Sequence, residues 1–373
     1  MDEALKPMIT TIIPTYRRPQ QLKQAIRSVL QQTYPHFQVC VYDNDSGDDT
    51  ALIITELAKV DPRIKYYCHE ENIGAYNNFQ FGLEHVETPF FSFLSDDDFL
   101  LPDFYQIALG RFEEYPDAMF SVTDVIIINE MQVVMRYTLE NHEAGYYSPP
   151  NGLLELFRKG NLTWTGILFR RDVKEIVGLL DCNVGAPGDH DFINRIAAKC
   201  PFVLTRRPGA VFVNRGQDAY YVQSKAELRR MIANLENSNV PADILRPIEQ
   251  AMIRTYQRWA VSRCLYYLKR EDGRNALMLA QELNKGPGSS VVYVALAALL
   301  RGPFFCSLLG HCVRALRGIQ DFLLELIGTK RQAVSPRCPV TYLESDVQNI
   351  KAQLEELRQD GVRPKYCNSN PSI

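Results

Sequence analysis

The first 115 residues alternate short, β-branched apolar runs with segments of helical period, and that alternation leaves few folds open. MITTIIPTY begins the series with a continuous apolar run, the pattern of a strand buried on both faces. Pro19 stands where a helix would begin, and Leu22, Ala25, Ile26, Val29 and Leu30 follow at helical spacing. FQVCVYD predicts a second strand, and SGDDTALIITELAKV a second helix with Ser46 and Asp49 spaced as a capping box. IKYYCHE reads as a third strand, NIGAYNNFQFGLEHV as a turn and a third helix, and PFFSFLSDDD as a fourth strand. Parallel strands need such helical crossovers, so the expectation is an α/β sheet.

Three of these strands stop in oxygen-rich sequence: Pro14-Thr15-Tyr16, Asp43-Asn44-Asp45 and Asp96-Asp97-Asp98. Ligands of open α/β sheets bind in the crevice beyond the carboxyl ends of the strands, so these tips are the candidate site. Three adjacent carboxylates repel one another and are costly at a core edge unless a cation compensates. Mg²⁺ or Mn²⁺ takes oxygen ligands, typically one or two carboxylates plus substrate phosphates. The same acids would also serve as a solvated turn capping the next helix. Asp43 and Asp45 can accept hydrogen bonds from a base or ribose, or make an ordinary turn and helix cap. The glycine of Asn72-Ile73-Gly74 would let backbone approach a ligand closely.

Composition closes off other classes. The 373 residues make room for one large domain plus an appendage, or two domains, and 46% hydrophobic with 23% charged residues is ordinary globular usage. A formal net charge of -3 argues against a nucleic-acid partner. Nine cysteines form no C-x-x-C pair and, with six histidines, give no zinc spacing. Dispersed thiols fit a reducing cytosol. The acidic start MDEALKPMI lacks the layout of a signal peptide, and Arg301, Gly302 and Pro303 interrupt the most apolar stretch, which argues against a spanning helix.

Farther along, DAMFSVTDVIIINE and MQVVMRYTLE predict strands, residues 140 to 166 an aromatic loop, GDHDFINRIAAKC a short helix, and PFVLTRRPGAVFVNRG two strands. From 224 to about 330 the pattern is helical. Phe305, Leu308, Leu309, Cys312, Leu316, Ile319, Phe322, Leu323, Leu326 and Ile327 form a wide apolar stripe with Arg314, Arg317, Lys330 and Arg331 nearby. A basic amphipathic helix can lie in a membrane interface, and the stripe can equally pack on neighbouring helices. ESDVQNIKAQLEELRQD predicts a surface helix before a frayed end.

The segments ITTIIPTYRRPQQLKQAIRSVLQQTYPHFQVCVYDNDSGDDT and ENIGAYNNFQFGLEHVETPFFSFLSDDDFLLPD, in that order over roughly residues 8 to 115, resemble the nucleotide-binding half of the family 2 glycosyltransferases. The resemblance implies the GT-A fold: a Rossmann-like mixed sheet flanked by helices, here followed by an all-helical C-terminal region. The domains expected are 1–223, divided into a nucleotide half 1–115 and an acceptor half 116–223, then helices over 224–333 and a terminal helix and tail over 334–373. It also implies a nucleotide-diphosphate-sugar donor, a divalent metal (Mn²⁺ or Mg²⁺), inversion at the anomeric carbon, and a saccharide or lipid-linked acceptor. Pro14, Thr15, Tyr16, Arg17, Asp43, Asp45, Asn72, Gly74, Asn78 and Asp96 fall to the donor, and Asp97 and Asp98 to the metal. Ser95 stands where the common D-x-D form has an aspartate. The expected location is the cytoplasm, with possible attachment to the inner membrane face through the C-terminal helices.

An inverting transfer needs a carboxylate that takes the acceptor hydroxyl's proton. Gly188-Asp189-His190-Asp191-Phe192-Ile193-Asn194-Arg195 is similar to the family's acidic pair followed by arginine, with Gly188 in place of the usual glutamate. Counting back from Arg195 puts Asp189 on the base position, with Asp191 as the alternate; Asp189 after a glycine is also a good helix cap. Trp164 and His190 are candidate acceptor contacts, Trp164 by stacking on a sugar face or else as core. Asn214 and Arg215 fall where the family often supplies a residue near the diphosphate. Two other readings stay open. A sugar nucleotidyltransferase would carry a glycine-rich loop after the first strand, which PTYRRPQQ lacks; an inactive binding module of the same fold would tolerate loss of the base.

Overall fold

The computed structural model of the chain describes residues 7–215, 224–269 and 272–284. The apolar stripe from Phe305 to Ile327, the helix expected within 344–360 and the terminal tail lie outside the described residues.

The first half alternates as the sequence predicts: β1 (Ile9–Thr15), α1 (Pro19–Leu30), β2 (Phe37–Asp43), α2 (Thr50–Val60), β3 (Ile64–Cys68), α3 (Ala75–Glu84) and β4 (Phe90–Phe93). Every residue of β1 is buried. The reason is topological: β1 runs parallel to β2 on one side and to β4 on the other. Alternate side chains feed two cores. Ile9 and Ile13 meet Leu22, Ala25, Ile26 and Val29 of α1, while Ile12 joins Tyr42, Phe91 and Phe93 on the opposite face.

The second half adds β5 (Phe99–Leu100), α4 (Phe104–Glu114), β6 (Phe120–Asn129), β7 (Val134–Tyr137), β8 (Gly145–Tyr147), α5 (Asn151–Lys159), β9 (Ile167–Arg170), α6 (Val173–Val177), α7 (Gly188–Lys199) and β10 (Phe202–Asn214). Helices α8 (Lys225–Glu236), α9 (Ala242–Lys269) and α10 (Gly273–Asn284) follow. The main sheet runs β3-β2-β1-β4-β9-β6-β10-β5, with β7 on β6 and β8 on β10. It is mixed, since β9 is antiparallel to both β4 and β6.

Three local expectations are corrected. PFVLTRRPGAVFVNRG forms one 13-residue strand, because bulges around Pro208 absorb the proline without ending the pairing to β6. Residues 140–166 contain β8 and α5, and Tyr147 stacks on Phe202 with ring centroids 5.1 Å apart, so this stretch is packed rather than loop. Ser46 does not cap α2; the Thr50 amide donates to Asp48 at 2.9 Å instead.

Candidate active site

The order β3-β2-β1-β4 means that the chain leaves β1 outward in one direction and returns on its other side at β4. Such a switch point opens a crevice at the strand ends. The register sets the polar tips level: Thr15 lies beside Asp43, and Ile12 beside Phe93, so the residues after Phe93 run along the end of β1. The Leu94 amide continues that pairing by donating to the Ile12 carbonyl at 3.0 Å.

At this point the Thr15 hydroxyl donates to Asp96 Oδ2 at 2.8 Å. Arg18, from the start of α1, bridges Asp96 Oδ1 and Asp97 Oδ2 at 3.1 Å each. Arg215, just past β10, donates to the same Asp97 oxygen at 3.1 Å. Burial pushes Asp96 up to about 6 against the opposing pull of Arg18, and the neighbouring Asp97 charge adds to the rise. Asp98 behaves differently. Its oxygens accept from the Thr165 hydroxyl at 2.8 Å and the Val213 amide at 2.9 Å, so it ties β4 to the tips of β9 and β10. Its pKa rises through complete burial and the Asp97 charge. A carboxylate turned into the protein this way is a strut, and the expected metal role of Asp98 has no geometric support.

The tip of β2 is equally knit. Asp43, 2% exposed, accepts from the Ser46 amide at 3.0 Å, the Ser46 hydroxyl at 2.5 Å and the Tyr66 hydroxyl at 2.7 Å. The Arg17 amide donates to the Ser46 hydroxyl oxygen at 2.9 Å, joining the tips of β1 and β2. Arg17 and Asp45 both hold the left-handed backbone region, at φ 55° and 60°. Non-glycine residues rarely stay there unless neighbouring bonds fix them, and such positions cluster at ligand sites. Tyr16 is exposed beside them under the Arg17 guanidinium.

Asn44 extends the network to the third strand crossover. It donates to Asn72 Oδ1 at 2.9 Å and accepts from the Ile73 amide at 2.9 Å, while Asn72 accepts from the Gly74 amide. Gly74, at φ 85°, needs its lack of a side chain for this turn. Asn78 is buried behind it, donating to the Tyr42 carbonyl at 2.8 Å and bonded to His69. The crevice therefore gathers Pro14, Thr15, Tyr16, Arg17, Asp43, Asp45 and Asp96, with Asn72 and Gly74 on its flank; Asn78 joins α3 to β2.

On the acceptor half, Asp189 lies in the first turn of α7, 6% exposed, and accepts from the His190 amide at 2.7 Å. Asp191 points elsewhere. It takes Arg195 Nε at 2.8 Å and Asn234 Nδ2 at 2.9 Å, and its pKa rises because burial outweighs the guanidinium. Arg195 also donates to the carbonyls of Val177 and Leu179, so it buttresses the end of α6. With both oxygens engaged, Asp191 does not suit the alternate base role. Trp164 is 7% exposed and packs against Phe79 and Phe93 at centroid distances of 4.4 and 4.6 Å. That is a core position, and it leaves the tryptophan unsuited to stacking on an acceptor sugar. His190 is half-buried next to Asp189.

Sequence reasoning does not single out Arg18, Tyr66 or Thr165, and gives Asn44 only as part of a polar strand tip and Ser46 only as a helix cap. Arg18 carried a signal as the second arginine of PTYRRP, and Asn44 as the middle of DND. Tyr66 and Thr165 carried none, since only the sheet order brings them to the tips.

No group of three or more His, Cys, Asp or Glu side chains among the described residues could hold a cation unaided. Asp97 with Asp96 offers a smaller set, which suits a hard divalent ion that also takes phosphate oxygens from a substrate.

Glycosyl transferase family 2 matches residues 10–177. A GalNAc(5)-diNAcBac-PP-undecaprenol beta-1,3-glucosyltransferase of Campylobacter jejuni is 36% identical over 96 residues, 26% of this chain and 31% of that protein. A Bacillus subtilis glycosyltransferase named for teichuronic acid biosynthesis is 33% identical over 93 residues, 25% of this chain and 37% of its own length. The chain thus matches only about a third of each relative's length. The structure of S. aureus TarS residues 1–349 superposes with a TM-score of 0.57 at 15% identity, covering 85% of this chain and 91% of that one. That likeness speaks to the fold, which is GT-A. The glycosyl transferase family 2 match thus covers residues 10–177, somewhat under half of the chain, and a GT-A fold carries it.

Proposed function

We propose that the protein transfers a sugar, with inversion, from a nucleotide-diphosphate sugar to a hydroxyl of a saccharide or lipid-linked glycan. The observation that carries this reading is the meeting of Thr15, Asp96, Asp97, Arg18 and Arg215 at the switch point of the sheet. Carboxylates and guanidiniums interleaved at strand ends form a surface suited to a diphosphate accompanied by a cation. In this reading Thr15, Tyr16, Arg17, Asp43 and Asp45 hold the base and ribose, Asn72 and Gly74 flank them, and Asn78 braces the turn from behind.

Asp97, with Asp96, would hold Mn²⁺ or Mg²⁺, an ion that offsets charge on a departing diphosphate when bound. Arg18 and Arg215 sit within reach of the same oxygens and stabilise that charge from the protein side. Asp189 takes the proton of the acceptor hydroxyl as the new bond forms, while His190 lines the acceptor side. The Campylobacter relative is named for an undecaprenol-linked glycan, which supports a lipid-linked acceptor here. Cys40, Cys68, Cys182, Cys200 and Cys264 are all free thiols, which supports a cytoplasmic location. Among the described residues no helix is long and apolar enough to cross a membrane. Membrane contact would fall to residues 224–333, whose helical character is expected from the sequence pattern, following the catalytic unit 1–223 with its halves 1–115 and 116–223.

A panel of UDP-, GDP- and dTDP-sugars, assayed for nucleoside diphosphate release with Mn²⁺, Mg²⁺ or chelator, tests the proposal. Metal-dependent release from one donor, abolished in Asp189→Asn under transfer conditions, is the expected result. Undiminished hydrolysis and transfer in Asp189→Asn would defeat it.

A further inference from the structure

We infer that Tyr76 is a positioning residue for the reaction: it seats the start of α7, and Gly188 is the space it requires. The inference rests on the reading of Asp189 as the base. Tyr76 lies two residues past Gly74, in the first turn of α3. Its hydroxyl donates to the carbonyl of Ala186, in the segment that leads into α7. Its ring fills the place where a side chain at 188 would stand. A Cβ built on Gly188 would lie 2.8 Å from Cε1 and 3.0 Å from Cδ1 of Tyr76.

Gly188 does not sit in the left-handed region, so room rather than backbone freedom explains the glycine. The glutamate that the family resemblance leads one to expect at 188 is therefore incompatible with Tyr76 in this position. The start of α7 also needs such help. Pro187 at its N-cap supplies no side-chain bond, and the carboxylate of Asp189 accepts from its own neighbour's amide. One turn along α3, on the same face, Gln80 accepts from the thiol of Cys182 at 3.1 Å, so α3 grips the 182–188 segment twice. The Asn72–Gly74 turn, which leads into that same first turn of α3, is bonded to Asn44 at the tip of β2. A short rigid path thus runs from the donor side of the crevice to Asp189. A donor that settles against the Asn72–Gly74 turn also settles the base.

Four variants test this, assayed with whichever panel sugar gives turnover: Tyr76→Phe, Gly188→Ala, Tyr76→Ala with Gly188→Ala, and Asp189→Asn. Tyr76→Phe keeps the ring and loses one neutral hydrogen bond, so kcat falls by up to about tenfold while the donor KM holds. Amide hydrogen exchange over 188–192 speeds up in that variant while α3 is unchanged. Gly188→Ala lowers kcat further, and removing the Tyr76 ring in the double variant restores part of the loss, a non-additivity expected of touching residues. The inference is overturned if Asp189→Asn is inactive while Tyr76→Phe matches wild type in kcat, pH profile and exchange, or if the two sites act additively. Full activity in Asp189→Asn would instead remove the base reading, and the exchange data would still report whether Tyr76 seats α7.

Discussion

Asp191→Ala separates the two acids of the α7 segment. Asp191 is 1% exposed, and its carboxylate binds Arg195 Nε at 2.8 Å and Asn234 Nδ2 at 2.9 Å. Removing it leaves the Arg195 guanidinium, 8% exposed, without its counter-charge. Breaking a buried pair from one side costs roughly 3–5 kcal/mol. The carbonyls of Val177 and Leu179 still receive the other guanidinium nitrogens, and Arg195 borders a cleft shared with Lys199 and Arg230 that admits solvent. These put the loss at the lower end, about 3 kcal/mol, or a fall in Tm of roughly 6–12 °C for a domain of this size. Thermal unfolding followed by circular dichroism measures it, with turnover assayed well below the transition. Asp191→Ala should melt early yet keep turnover while folded, and Asp189→Asn should melt with wild type and lose turnover. An Asp191→Ala protein as stable as wild type but inactive would make Asp191 the base and refute the assignment.

Three further outcomes follow from the same contacts. Asp96, raised to about 6 by burial, favours the protonated fold; its stabilising contribution is full below the unfolded carboxylate range and is lost as pH rises through about 6. A cation and diphosphate favour the ionised form, so Mn²⁺–UDP or Mn²⁺–GDP affinity should fall as pH drops through about 6, with proton release on binding visible by calorimetry in two buffers; affinity flat across that range contradicts it. Thr15→Val removes the hydroxyl that steadies ionised Asp96, so the same acid limb should move to higher pH; an unmoved limb would deny the Thr15–Asp96 bond a part in binding. Trp164→Ala should cost roughly 3–5 kcal/mol in denaturant unfolding with the acceptor KM unchanged, whereas a selective rise in that KM would return Trp164 to the acceptor site.

The nucleotide half was legible because its constraints are local. A buried parallel strand reads as an unbroken apolar run, so the points where β1, β2 and β4 stop were visible as abrupt changes to Thr15, Asp43 and Asp96. What one strand end does to another is not local. Asp96, Asp97 and Asp98 are consecutive and chemically identical, yet the turn closed by the Asp98 amide on the Ser95 carbonyl and the approach of β10 send Asp98 inward to Val213 and Thr165 and leave Asp97 facing two arginines. Arg215 lies more than a hundred residues from Asp97, and its partner could not be read from spacing. Spacing alone does not separate Asp189 from Asp191 for the same reason, since Asn234, which engages Asp191, comes from α8. Trp164 was ambiguous because an aromatic ring suits a sugar and a core equally, and Phe79 and Phe93 decide it. The β8 strand escaped notice since three residues, Gly145 to Tyr147, are too few for a period.

The central claim is that the acids at the end of β4 accept a diphosphate together with a divalent ion. Calorimetric titration of UDP and GDP into the wild-type protein and Asp97→Ala, each with Mn²⁺ and with chelator, tests it most directly. The account predicts that one of the two nucleotides binds wild type with Mn²⁺, that chelator abolishes the heat, and that Asp97→Ala loses binding while melting as a folded protein. Equal affinity in chelator and in Mn²⁺, unchanged in Asp97→Ala, would contradict it.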